Sequence, residues 1–123
     1  MVDKFKEIYE KQLEYENIVI KKSKDWPDKD LKDFTEKEKN SFSKELCLYL
    51  YQEVAEYVNA VGNYKMHKTA KDDSNPEDIK SELADIFIFA MDLALIQGIT
   101  LEELLIIIKN KQQKNFDRQR NNY

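Results

Sequence analysis

Two acidic pairs set the first constraint on how this chain can fold. Glu53 and Glu56, in Gln52-Glu53-Val54-Ala55-Glu56, and Glu82 and Asp85, in Ser81-Glu82-Leu83-Ala84-Asp85, place carboxylates three residues apart inside segments that otherwise read as core helices. Residues three apart share a helix face, so each pair points at one place. A carboxylate among apolar neighbours is costly unless a cation or a hydrogen-bond network compensates it. Four such groups converging are most simply resolved by a bound divalent metal.

The remaining residues favour an all-α fold. Two glycines and two prolines in 123 residues supply too few turns for a β protein, whereas charged and aliphatic residues are abundant. The length fits one domain, 1–123, with a genuine core. The formal charge of −4 argues against a non-specific grip on nucleic acid. Cys47 has no partner for an internal disulfide and no CxxC spacing, and it reads as a small buried hydrophobe on a helix. No segment has the length and apolar character of a membrane span: the longest candidate, 86–96, is short and holds Asp92. A soluble, cytoplasmic protein is expected.

Apolar residues at Phe5, Ile8, Tyr9, Leu13, Ile18 and Ile20 predict a first amphipathic helix over 3–22. Gln12 lies among them and has no role by periodicity alone. Pro27 biases Trp26 away from helix, and Trp26 either caps the core from a loop or offers its flat face to a planar ligand. Thr35-Glu36-Lys37-Glu38 matches a capping box that starts a second helix, with a stripe of Leu46, Leu50, Val54, Tyr57, Val58 and Val61 weakening near Gly62. At 100° per residue Glu53 falls on the edge of that stripe and Glu56 one step further round.

A polar connector follows, in which His67 reads as exposed and Lys65 and Lys68 read as surface charges or as cations that hold phosphates beside an acidic metal site. Asn75-Pro76-Glu77-Asp78 opens a third helix, apolar almost all round from 83 to 96 and so expected to be buried on most sides. Its charges, Glu82, Asp85 and Asp92, share one face. Gly98 ends it, and Thr100-Leu101-Glu102-Glu103 starts a fourth helix expected to bury Leu101, Leu104, Leu105, Ile106, Ile107 and Ile108. Lys111, Asn115 and Arg118 then form a column on one face of that helix.

Oxygen donors without His or Cys suit a hard cation, Mg²⁺ with Mn²⁺ as the other choice, rather than zinc. Mg²⁺ commonly completes its shell with substrate phosphates, so acids beside Lys111 and Arg118 point to metal-assisted hydrolysis of a phosphoanhydride. A single histidine makes Ser/His/Asp chemistry improbable, and no glycine-rich phosphate loop is present.

At these residues the sequence resembles the all-α nucleoside triphosphate pyrophosphohydrolases, the superfamily of MazG, dCTP pyrophosphatase and the dimeric dUTPases. Glu53, Glu56, Glu82 and Asp85 match its ExxE…ExxD signature position by position. Lys111, Asn115, Arg118 and Gln119 are similar to a KxxxNxxRQ segment of the dimeric-dUTPase-like proteins, and residues 8–12 to an N-terminal helix carrying a base-reading Gln. The resemblance implies a MazG-like bundle of four to five helices that oligomerises as a dimer or tetramer. It implies four Mg²⁺ ligands, with Glu53 or Glu56 handling the nucleophilic water. Lys111 and Arg118 would meet phosphates, Asn115 the nucleoside and Gln12 the base. The implied substrate is a nucleoside triphosphate, dUTP or dCTP. The competing expectation is a non-catalytic helical interaction protein, antitoxin-like or a phage accessory factor, whose acids only solvate a bundle surface.

Overall fold

The computed structural model describes residues 2–62 and 75–121. Four α-helices are present, α1 Val2–Lys22, α2 Glu36–Val61, α3 Pro76–Ile96 and α4 Leu101–Arg120, with no strand among the described residues. A short 3₁₀ turn at Leu31–Asp33, which periodicity does not reveal, joins α1 to α2.

The helix ends follow local chemistry. Thr35 Oγ1 accepts from the Glu38 N–H at 3.2 Å while the Glu38 carboxylate accepts from the Thr35 N–H at 2.8 Å, the reciprocal capping box. Asn75 accepts from the N–H groups of Glu77 and Asp78, and Thr100 from that of Glu103. At the end of α3 the Gly98 N–H donates to the Leu95 carbonyl at 3.0 Å and the Ile99 N–H to the Ala94 carbonyl at 3.1 Å. This is a Schellman closure, and it needs a left-handed residue, supplied by Gly98 at φ +72°. α4 leaves this corner at 113° to α3.

α2 and α3 pack as an antiparallel pair. The Asn75 N–H donates to the Ala60 carbonyl at 3.2 Å, which ties the end of α2 to the start of α3. Two helical turns from that tie on either strand of the hairpin stand Glu53 and Glu82. At the opposite end Gln97 Nε2 donates to Ser43 Oγ at 2.9 Å. α1 crosses the C-terminal half of α3, fixed by the Tyr9 hydroxyl donating to the Ile99 carbonyl at 2.6 Å. Here the core lies: Ile20, Leu31, Phe34, Phe42, Leu46 and Ile96 form one buried cluster, and Tyr9, Ala94, Leu95 and Leu101 a second. Burying one side chain such as Ile20 or Ile96 stabilises the fold by roughly 1.5–3 kcal/mol.

The expected burial fails in three places. On α1 only Tyr9 and Ile20 of the apolar series are buried, while Phe5, Ile8, Leu13 and Ile18 are exposed. On α3, Leu83, Phe87 and Ile88 are exposed rather than enclosed on most sides. On α4, Leu101 is buried and Leu104 and Leu105 pack beside it, but Ile106, Ile107 and Ile108 are exposed at 61%, 47% and 43%. The cause is geometric: the 113° turn carries α4 away from the hairpin, so beyond Leu105 no described residue of the chain covers it. Cys47, expected as a small buried hydrophobe, is half-buried.

Candidate metal centre and cleft

The antiparallel register brings the two acidic pairs together. Glu53 from α2 and Glu82 and Asp85 from α3 each offer one carboxylate oxygen to a group in which all three atoms lie within 4.8 Å of one another. All three residues are half-buried. Glu56, expected as a fourth ligand, is exposed at the border of this group and is not one of its three members. Like charges this close resist ionisation together. Burial, then the hydrogen bond and charge of Glu56, then the charges of Asp85 and Glu82 push Glu53 up to about 7. Burial and Glu56 raise Glu82 as well.

Two observations bear on what the group could hold. Glu53 Oε2 and Glu82 Oε2 are buried with no hydrogen-bond partner. None of the four ion pairs among the described residues involves these acids. Buried oxygens left without donors or cations are costly, and an all-oxygen donor set of this kind fits a hard divalent cation. A merely solvated acidic face would keep those oxygens in water.

The group borders a cleft of about 740 Å³ between α1, α2 and α3, reached by Glu53 and Asp85. Trp26 lines it, and so does Gln12. Trp26 caps the core from its loop, as one of its two readings expects, its ring packing edge-on against Phe42 with centroids 4.5 Å apart at 66°. Gln12 donates through Nε2 to Asp92 Oδ1 at 2.7 Å. Asp92 does not join the carboxylate group, although it lies on the same face of α3; it turns to α1, where it meets Glu16. Both are buried, at 2% and 5% exposure. Burial, then the charge and hydrogen bond of Asp92, push Glu16 up to about 8. Burial raises Asp92 to about 6 against the lowering hydrogen bonds of Gln12 and Glu16.

Glu16 is the residue that sequence reading overlooked. Its signal was present, because it occupies the same helical face as Tyr9 and Ile20, the other two buried residues of α1. Lys111, Asn115 and Arg118 share a face of α4 as expected, but they stand on its exposed outer half and do not line the cleft. Lys65, His67 and Lys68 lie outside the described residues.

A family model described as dUTPase matches residues 4–97, taking in α1, α2 and α3 and ending before α4. Neither the curated proteins nor the solved structures contain a significant match. With that match across most of its length, and with Glu53, Glu82 and Asp85 gathered at one site of an all-helical frame, the chain belongs to the dUTPase family, in its all-α, MazG-like branch.

Proposed function

We propose that the protein is a Mg²⁺-dependent nucleoside triphosphate pyrophosphohydrolase that converts a deoxynucleoside triphosphate, dUTP or dCTP, to the monophosphate and pyrophosphate, and so clears the nucleotide pool. The observation that carries this reading is the tight group formed by Glu53, Glu82 and Asp85, with two buried oxygens that no protein donor reaches, at the edge of a cleft with an aromatic wall.

Glu53, Glu82 and Asp85 would hold the ion, with Glu56 as the fourth carboxylate on their border. When bound, Mg²⁺ supplies positive charge to the phosphate oxygens; Mn²⁺ would serve the same donor set. Glu53 or Glu56 positions the attacking water and accepts its proton. Gln12 and Trp26, further along the same cleft, take the base, Trp26 by its ring and Gln12 by its amide. Lys111 and Arg118 meet phosphates and Asn115 the nucleoside. Because these three stand clear of the cleft of their own chain, they reach a site only in a homo-oligomer, a dimer or tetramer, or with α4 rearranged. Lys65 and Lys68 are assigned to phosphates on charge alone.

Glu53→Gln tests the reading by separating chemistry from folding. Pyrophosphate release from dUTP and dCTP with Mg²⁺ is expected to fall ~10²-fold or more. The metal-free variant is expected to melt no lower than the parent, because a crowded charge has been removed. Retained turnover, or a variant that loses activity only because it unfolds, would count against the assignment.

A further inference from the structure

The net charge of −4 is divided unevenly along the chain. Five of the twenty cations but one of the twenty-four acids fall in residues 109–120, so the second half of α4 carries +4 and the rest of the chain −8. Lys109, Lys111, Lys114, Arg118 and Arg120 are all exposed, and none belongs to an ion pair among the described residues. Like charges crowded on one short helix repel, so this half of α4 is held at a cost that an anionic partner relieves. It also stands free of the core. α4 leaves α3 at 113°, no described residue covers it beyond Leu105, and it lies outside the residues 4–97 that carry the family match.

The order of side chains around α4 says which anion fits. Leu101, Leu105, Ile108, Gln112, Asn115 and Gln119 alternate intervals of four and three, so they form one stripe along the helix. The stripe packs on the core at Leu101 and Leu105 and ends in three exposed amides. At 100° per residue, Lys111, Lys114 and Arg118 fall about a quarter-turn to one side of it, and Lys109, Phe116 and Arg120 about a quarter-turn to the other. A row of amides between two cationic flanks matches the major groove of duplex DNA, where base edges lie between two phosphate walls. Asn and Gln pair with adenine N6 and N7 there, and Lys and Arg with phosphate oxygens. Residues 109–120 of the helix are about 18 Å long, enough to cross a groove about 12 Å wide. A membrane surface fits poorly, because Phe116 is the one apolar side chain in 109–120 and an inserted helix needs an apolar face.

We propose that residues 109–120 form a docking surface for duplex DNA, with Gln112, Asn115 and Gln119 toward the base edges and the five cations on the phosphates. The inference goes beyond the pyrophosphohydrolase reading and does not depend on it. An α4 seated on DNA and an α4 lending Lys111, Asn115 and Arg118 to a nucleotide are alternative placements of one helix, so the two uses compete.

The test is fluorescence anisotropy of a labelled random-sequence duplex with the full chain, with a triple variant (Lys109→Glu, Lys114→Glu, Arg120→Glu) and with a double variant (Gln112→Ala, Gln119→Ala). None of these substitutions touches a residue assigned to the nucleotide site. The parent is expected to bind at low salt, with affinity falling roughly 10²- to 10³-fold between about 50 and 200 mM salt as the phosphate contacts release their counterions. The triple variant is expected to bind ~10²-fold or more weakly at fixed salt. The double variant is expected to keep the parent's affinity for random duplex but to lose the sequence preference that the parent shows in selection from a randomised pool. No binding by the parent overturns the proposal, as does unchanged affinity in the triple variant. Binding to duplex RNA as tight as to duplex DNA overturns it too, because the major groove of RNA does not admit side chains. Co-sedimentation with phosphatidylserine vesicles in place of DNA binding, or loss of self-association in place of DNA binding in the triple variant, gives the surface to another partner and overturns it as well. A sequence preference absent from the parent, or unchanged in the double variant, overturns the placement of the amides at the base edges.

Discussion

Carboxyl groups crowded in a fold hold protons that the unfolded chain has already released, and this makes the fold sensitive to pH in a definite direction. Glu16 is raised from the ordinary carboxylate range to about 8, and Asp92 to about 6. Between about pH 4.5 and 8 the native state therefore binds more protons than the unfolded state, and stability falls as pH rises through that window. The metal-free protein is expected to be more stable at pH 5 than at pH 8, by on the order of 2–4 kcal/mol from this buried pair. Urea titrations at the two values measure it, and a flat profile would mean that the pair is not protonated as described. The site residues show how far local sequence reaches. Glu53, Glu82 and Asp85 were legible, because acids three apart on apolar helices carry their own signal. The partnership of Asp92 with Glu16 and Gln12 was not, since residues some 80 positions apart meet only once α1 has crossed α3.

At the level of single elements, the boundaries were the most legible part of the chain because each rests on chemistry within a few residues. Thr35 with Glu38, Asn75 with Pro76, Thr100 and Gly98 all act where their types predict. The cap at α2 is worth testing, since this helix carries Glu53. Thr35→Ala removes the acceptor for the Glu38 N–H and is expected to cost ~1 kcal/mol in chemical denaturation, with kcat unchanged because the site lies several turns away. The facing of the helices was less legible. A run such as Leu104 to Ile108 reads the same whether the surface that covers it belongs to its own chain or to another, and only Leu104 and Leu105 find cover within this one.

For the whole molecule, those uncovered residues carry the expectation of assembly. Ile106 and Phe116 on α4 are each 61% exposed, and Phe87 on α3 64%. Exposed apolar surface on this scale marks contact sites in soluble proteins. Paired substitution of Ile106 and Ile107 by glutamate is expected to shift sedimentation from an oligomer to a single 14.7 kDa chain. If the unmodified protein already sediments at that mass at micromolar concentration, the homo-oligomer is wrong. One last consequence belongs to the hydrogen bond between Asn75 and Ala60. It ties Ala60 of α2 directly to Asn75 at the start of α3, so the distance between the paired acids is set by the hairpin and not by the length of polypeptide that joins the two helices. Insertion, deletion or exchange of that span is therefore expected to leave the grouping of Glu53, Glu82 and Asp85 as it was.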